Sequence, residues 1–201
     1  MIRVLLADDQ HLVRGALAAL LSMEPDIEIA AEVGRGDEVV DAVRDKDVDV
    51  AVLDIEMPGL DGIAVTAILR EQVPSCRVLV VTTFGRPGYL RRAMAAGASG
   101  FMVKDSPAER LADAIRRIHS GLRVVDPSLA AESLAAGDSP LTERERDVLV
   151  AARDGGTVAD IARMLSLSEG TVRNYLSAAI SKTRARTRAE AARIATEHGW
   201  L

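Results

Sequence analysis

The chain has 201 residues and a mass of 21.4 kDa; 48% of the residues are hydrophobic and 27% charged. That composition excludes a disordered or collagen-like chain, and the length suits one large domain or two small ones. The longest charge-free stretch, Ala93–Val103, falls well short of the roughly 20 residues a spanning helix needs, and the lone Cys76 excludes an intramolecular disulfide framework and a Cys-based zinc site.

The opening apolar run, Val4–Ala7, is stopped at once by Asp8 and Asp9, too early for a signal-peptide core. A cytoplasmic protein without membrane contact is therefore expected. The net charge of -5 is unevenly spread. Up to Asp138 there are 15 Lys and Arg against 22 Asp and Glu; from Ser139 onward there are 10 against 8. An acidic front and a mildly basic tail point to two domains with different partners.

Short apolar runs rich in β-branched residues recur at Ile2–Ala7, Ile27–Val33, Val48–Leu53, Arg77–Thr82 and Gly100–Val103. Each is bounded by Gly, Pro or acidic residues, as strands are. Between them lie helical stretches at Leu12–Met23, Glu38–Lys46, Gly62–Gln72, Tyr89–Ala96 and Ala108–Ser120. In the first, Leu12, Ala16, Ala19, Leu20 and Met23 give one apolar face at helical period. Five βα units with short connections predict a five-stranded, doubly wound parallel sheet over residues 1–120.

Such sheets bind ligands beyond the carboxyl ends of their strands. There the sequence puts Asp8 and Asp9 after strand 1, Asp54 after strand 3, Thr82 and Thr83 after strand 4, and Lys104 after strand 5. Clustered carboxylates repel one another unless a cation sits among them. Oxygen-only ligation suits Mg²⁺. A carboxylate beside it can attack phosphorus to give an aspartyl phosphate. Taken singly, each acidic residue could instead cap the following helix, Asp9 above all.

Residues 121–139 carry turn signals at Asp126–Pro127 and Gly137–Pro140, with room for one short helix at Ser128–Ala136, and read as a linker. Four helices follow over 140–201. Thr142 with Glu145 and Thr187 with Glu190 form capping-box patterns, Thr157 or Val158 opens the second helix, and Ser168 caps the third. Two short helices joined at Ser166–Leu167, the second with exposed polar groups, describe a helix-turn-helix. In the helix 168–183, Val172, Leu176 and Ile180 fall on a core face. Ser168, Thr171, Arg173, Asn174 and Ser177 are left as candidates for base edges and the nearby backbone. Lys182, Arg184 and Arg188 are suited to phosphates. His11, His119 and His198 show no ligand spacing.

Residues 1–120 resemble the receiver domain of two-component response regulators. The likeness is carried by Asp8–Asp9, Asp54 within Leu53–Gly59, Asp61–Gly62, Thr82, and Lys104 within Phe101–Pro107. It implies Asp54 as phosphoacceptor from a sensor histidine kinase. It implies Mg²⁺ held by Asp8, Asp9, Asp54 and the backbone carbonyl of Glu56. Thr82, 22 residues before Lys104, takes the switch position together with Lys104, and Phe101 takes the aromatic switch position without a hydroxyl. Glu56 and Phe84 fall where such proteins tune the lifetime of the phosphorylated state. The loop Gly85–Gly88, after the switch threonine, is a candidate to move on phosphorylation.

Residues 140–201 resemble the four-helix domain of the LuxR/NarL/FixJ regulators, through Leu141–Glu145, Asp160–Ala162, Leu167–Tyr175 and Arg188–Ala192. Within that family the strings Ile55–Pro58, Thr82–Tyr89 and Thr171–Tyr175 look most like regulators of fatty-acid desaturase genes. The resemblance implies a regulator that dimerises on phosphorylation and binds double-stranded DNA, not an enzyme. Two rivals stand beside it. One is a DNA-binding regulator independent of phosphorylation. The other is a Mg²⁺-dependent aspartyl-phosphate phosphatase, whose general acid would have to be Glu56.

Overall fold

The computed structural model describes all residues except Phe84, Arg86, 136–138 and Asp154, and describes the backbone alone at Pro87, Ala108, Ser128, Glu132, Leu134 and Ala135. Its chain forms two compact units, one made of Met1–Gly85 with Leu90–Ala130 and the other of Arg86–Tyr89 with Ala131–Leu201.

The strands are β1 (Ile2–Ala7), β2 (Ile27–Val33), β3 (Val50–Asp54), β4 (Arg77–Thr82), β5 (Gly100–Val103) and β6 (Val124–Val125). They form one parallel sheet in the order β2-β1-β3-β4-β5-β6. The sheet therefore has six strands, not the expected five. Val124 and Val125 pair with Gly100 and Phe101, and a two-residue strand is too short to leave a periodic signal. The helices that alternate with the strands are α1 (His11–Leu21), α2 (Val39–Asp45), α3 (Gly62–Gln72), α4 (Pro87–Ala96) and α5 (Ala108–His119), followed by α6 (Pro127–Ala135). Thus β6 and α6 occupy most of the segment read as a linker.

β1 and β3 are apolar nearly throughout because both faces of the sheet are covered. Val4, Leu6, Val50, Val52, Leu79 and Val81 pack with Leu21 and with Leu111, Ile115 and Ile118 of α5. Leu5, Ala51, Leu53, Val80 and Phe101, which alternate with them along the strands, are buried as well.

The expected apolar face of α1 is corrected. Leu12 is 90% exposed and Met23 80%, while Leu17, Ala18 and Leu21 turn to the core. The helix is apolar nearly all round, so two faces satisfy the same period. Arg14 sets which one turns inward: it is buried, and its guanidinium donates to the main-chain oxygen of Asp8.

The second unit holds α7 (Glu143–Arg153), α8 (Val158–Leu165), α9 (Glu169–Lys182) and α10 (Arg188–Glu197). Its core joins Val148, Leu149, Ile161, Val172 and Leu176 to a set of alanines, Ala152, Ala162, Ala179, Ala191, Ala192 and Ala195. Trp200 packs against this core and stacks on His198 at 4.6 Å. The helix starts at Thr142, Thr157 and Ser168 are capped as expected. The Thr142 hydroxyl accepts from the Glu145 N–H while the Glu145 carboxylate accepts from the Thr142 N–H, and Thr157 and Asp160 make the same exchange. Ser168 accepts from the Thr171 N–H. At α10 only half the box forms: Thr187 accepts from the Glu190 N–H, but the Glu190 carboxylate takes the Arg186 N–H.

Glu145 does a second job. Its carboxylate, almost wholly buried, accepts from Lys182 at 2.8 Å and so ties α7 to the end of α9. Burial works to raise its pKa, but Lys182 and the two Thr142 hydrogen bonds outweigh this and hold the carboxyl below its ordinary value.

Two stability predictions follow from these contacts. A Cβ at Gly62 would collide with the carbonyl oxygen of Asp54, so Gly62→Ala lowers stability by about 1–3 kcal/mol, read as a fall in the Tm of the 1–130 unit. Glu145→Gln costs about 1–2 kcal/mol, a modest figure because the Lys182 side chain is still 36% exposed. A depressed carboxyl gives stability above its unfolded pKa and loses it as pH falls through the folded one. The gap between wild-type and Glu145→Gln melts is therefore full at neutral pH and closes from about pH 4.3 downward.

Candidate functional site

The strand order reverses at β1, which lies between β2 and β3. A crevice opens at such a point beyond the carboxyl ends of β1 and β3. Asp8 and Asp9 follow β1, and Asp54 is the last residue of β3. Each thus sits on a rigid strand end. The three carboxylates each offer an oxygen within 4.8 Å of the others. Asp8 and Asp54 are buried and Asp9 is exposed. Asp9 does not cap α1; the position before that helix is Gln10, whose side chain makes no cap. Gln10 instead donates its N–H to the Asp8 carboxylate at 2.9 Å.

The Lys104 Nζ lies 2.7 Å from Asp8 Oδ2 and 2.9 Å from Asp54 Oδ2. The Lys104 N–H donates to the Thr82 carbonyl at 2.8 Å, fixing the ends of β4 and β5 side by side. Thr82 is buried beside the site. Asp54 Oδ1 accepts the Ile55 N–H at 2.8 Å, and the Gly62 N–H donates to the Ile55 carbonyl. The latter bond clamps the start of α3 against β3, and Asp61 caps α3 by accepting from the Ala64 N–H. A cleft of about 90 Å³ opens here, lined by Asp9, Gln10, Asp54, Glu56, Thr82 and Thr83.

Electrostatically the cluster is short of cations. Burial pushes the Asp54 carboxyl above its ordinary value, the charge on Asp8 adds to this, and Lys104 opposes it. Burial also disfavours the Lys104 ammonium, but hydrogen bonds and charge from Asp8 and Asp54 outweigh it and raise its pKa. One ammonium among three carboxylates leaves an excess of two negative charges beside an open cleft. An all-oxygen donor set of that charge fits a small divalent cation. The sequence-predicted residues Asp8, Asp9, Asp54, Glu56, Thr82 and Lys104 are therefore brought together. Phe101 is wholly buried on β5, three residues before Lys104. Phe84 and Arg86 lie outside the described residues. Sequence reading missed Arg14, which holds the Asp8 backbone, because its signal is a single residue inside a helix.

On α9, Val172 and Leu176 are buried and Ile180 packs partly against the same core, as expected. Arg173, Asn174 and Ser177 are exposed. Arg173 is paired on its own helix, its guanidinium 2.6 Å from Glu169. The hydroxyls of Ser168 and Thr171 are 2.8 Å apart at the helix cap. Two of the residues expected to meet phosphates also have partners within this unit. Lys182 is held by Glu145, and Arg188 donates to the Gly156 carbonyl at 2.8 Å. Their partners lie 37 and 32 residues away, so no local pattern announces them. Arg184 is exposed, in the left-handed region at φ 53°.

Among the described residues no helix is long and apolar enough to cross a membrane. Residues 4–116 match the response regulator receiver domain, and residues 139–195 match the bacterial regulatory proteins of the luxR family. The transcriptional regulatory protein DesR of Bacillus subtilis (strain 168) is 42% identical over 201 residues, the full length of both chains. The crystal structure of the response regulator ChrA, from a heme-sensing two-component system, is 32% identical and covers 100% of this chain and 98% of its own, with a TM-score of 0.61. A structure of two RcsB dimers bound to two parallel DNAs shares the fold at 21% identity, covering 98% of each chain, with a TM-score of 0.70. The chain belongs to the response regulators that join a receiver domain to a luxR-type DNA-binding domain.

Proposed function

We infer that this protein is a phosphorylation-switched transcription regulator with Asp54 as its phosphoacceptor. The observation that carries the reading is the buried Asp54 carboxylate, held by Lys104 in a cleft that also gathers Asp8, Asp9 and Thr82. The division proposed is a receiver over 1–120, a connecting segment over 121–139 and a DNA-binding domain over 140–201, in a cytoplasmic protein.

Asp8, Asp9, Asp54 and the Glu56 backbone carbonyl would hold Mg²⁺, which when bound offsets their charge and that of an incoming phosphoryl group. The donor is the phosphohistidine of a sensor kinase. A carboxylate oxygen of Asp54 bonds to phosphorus as the P–N bond breaks, and the imidazole nitrogen takes up a proton. Lys104 then exchanges a carboxylate partner for a phosphoryl oxygen, and Thr82 donates its hydroxyl to another. Phe101 repacks by burial alone, since it has no hydroxyl. These contacts exist only in the phosphorylated state, so they bias a two-state receiver toward the dimer. A dimer presents two copies of α9 to half-sites about one helical turn apart. The RcsB complex, a protein of the same fold with two dimers on DNA, supports that arrangement. Regulation, not turnover of a substrate, is the activity proposed: the site has a phosphoacceptor and its switch partners, and the general acid of a phosphatase would have to be Glu56.

The test is intact mass and oligomeric state after incubation with Mg²⁺ and acetyl phosphate. Wild type gains about 80 Da and shifts from monomer to dimer; Asp54→Ala does neither. An Asp54→Ala variant that binds operator DNA as tightly as phosphorylated wild type would leave a regulator that does not need the switch. For DNA, Arg173→Ala and Asn174→Ala each cost about 1–3 kcal/mol on the cognate site and little on random sequence, measured by gel shift at fixed salt.

A further inference from the structure

At the opposite end of the sheet from the carboxylates, the amino ends of β4, β5 and β6 frame a cavity of about 220 Å³. Arg70, Arg77 and Arg123 line it, with Ser99, and no Asp or Glu is among its lining residues. Several other arginines of this unit do find carboxylates: Arg3 pairs with Glu28, Arg35 with Asp37, and Arg116 with Glu24 and Asp26. Among the described residues neither Arg77 nor Arg123 has an ion-pair or hydrogen-bond partner for its guanidinium.

Only one of the three is carried by a helix. Arg70 lies in the last turn of α3 and donates to the Ala95 carbonyl near the end of α4, at 3.4 Å. Its aliphatic stem crosses Gly97, whose φ of +106° and absent side chain leave it room. Arg77 opens β4 and Arg123 precedes β6, so neither sits on a helix. The walls between them are stiff. The Ser99 N–H donates to the Val78 carbonyl at 2.8 Å, and the Ser99 carbonyl accepts from the Val124 N–H at 3.1 Å. Cys76, also in the wall, brings no negative charge, since burial pushes its thiol up to about 12.

We propose that this cavity binds a compact, multiply charged phosphate-bearing anion. Three guanidiniums with no carboxylate among the described lining residues call for more than one negative charge, and the planar guanidinium fork matches phosphate oxygens in pairs. The volume is below the roughly 300–1,000 Å³ of drug-sized pockets, which limits the ligand to a phosphoanion with little attached.

The probe is inorganic pyrophosphate, titrated into the ¹⁵N-labelled full-length protein without Mg²⁺ at constant ionic strength. Saturable amide shifts are expected at Arg77, Gly97, Ser99 and Arg123. Arg77→Gln and Arg123→Gln, exposed positions whose change leaves the Tm in place, each weaken binding at least tenfold. Shifts confined to residues 168–188 or to the surroundings of Asp54 would overturn the proposal. So would unchanged affinity in both variants, and citrate binding as tightly as pyrophosphate would overturn the phosphate class.

Discussion

The Lys104 ammonium, 2.7 Å from Asp8 and 2.9 Å from Asp54, is what allows carboxylates to gather at one edge of a buried sheet. Taking a charge out of water costs several kcal/mol unless it is paired. The sheet makes the pairing possible by ending three strands at one place. Parallel registry from β1 to β3, β3 to β4 and β4 to β5 puts Asp8, Asp54, Thr82 and Lys104 at neighbouring strand ends. The pairing is incomplete, and negative charge at the site is left unmatched.

The sheet was legible in the sequence because its signals are local. β1, β2, β4 and β5 begin and end where apolar runs meet Gly, Pro or acidic residues, and α3 opens at Asp61–Gly62, where the cap and the close approach to β3 are written in adjacent residues. What escaped were features decided at a distance. The inward face of α1 depends on Arg14 reaching the Asp8 backbone. The duties of Lys182 and Arg188 depend on partners in α7 and in the turn before α8. A basic residue near a helix end looks the same in sequence whether it awaits a phosphate or already holds a carboxylate.

The second unit stands on thin margins. Its helices run 8 to 14 residues, lengths at which an isolated helix barely holds in water. Half of its buried apolar residues, among those described, are alanines, which bring helices close but remove little surface from water. Caps at Thr142, Thr157, Ser168 and Thr187 and the Glu145–Lys182 tie therefore carry a share of stability that a larger core would supply. The sequence displays those caps plainly, because each is written within four adjacent residues.

The Arg173–Glu169 pair has a kinetic side. On the reading proposed for α9, Glu169 sets a negative charge on the surface that approaches the phosphate backbone. That charge repels every sequence alike, whereas Arg173 is rewarded only where a suitable base edge draws it away from its intrahelical partner. An exposed pair of this kind is worth only about 0.3–0.5 kcal/mol, so release at the right site is cheap. On that reading residence on random DNA would be shortened by more than residence on the operator, and the protein would leave wrong sites sooner while searching a genome.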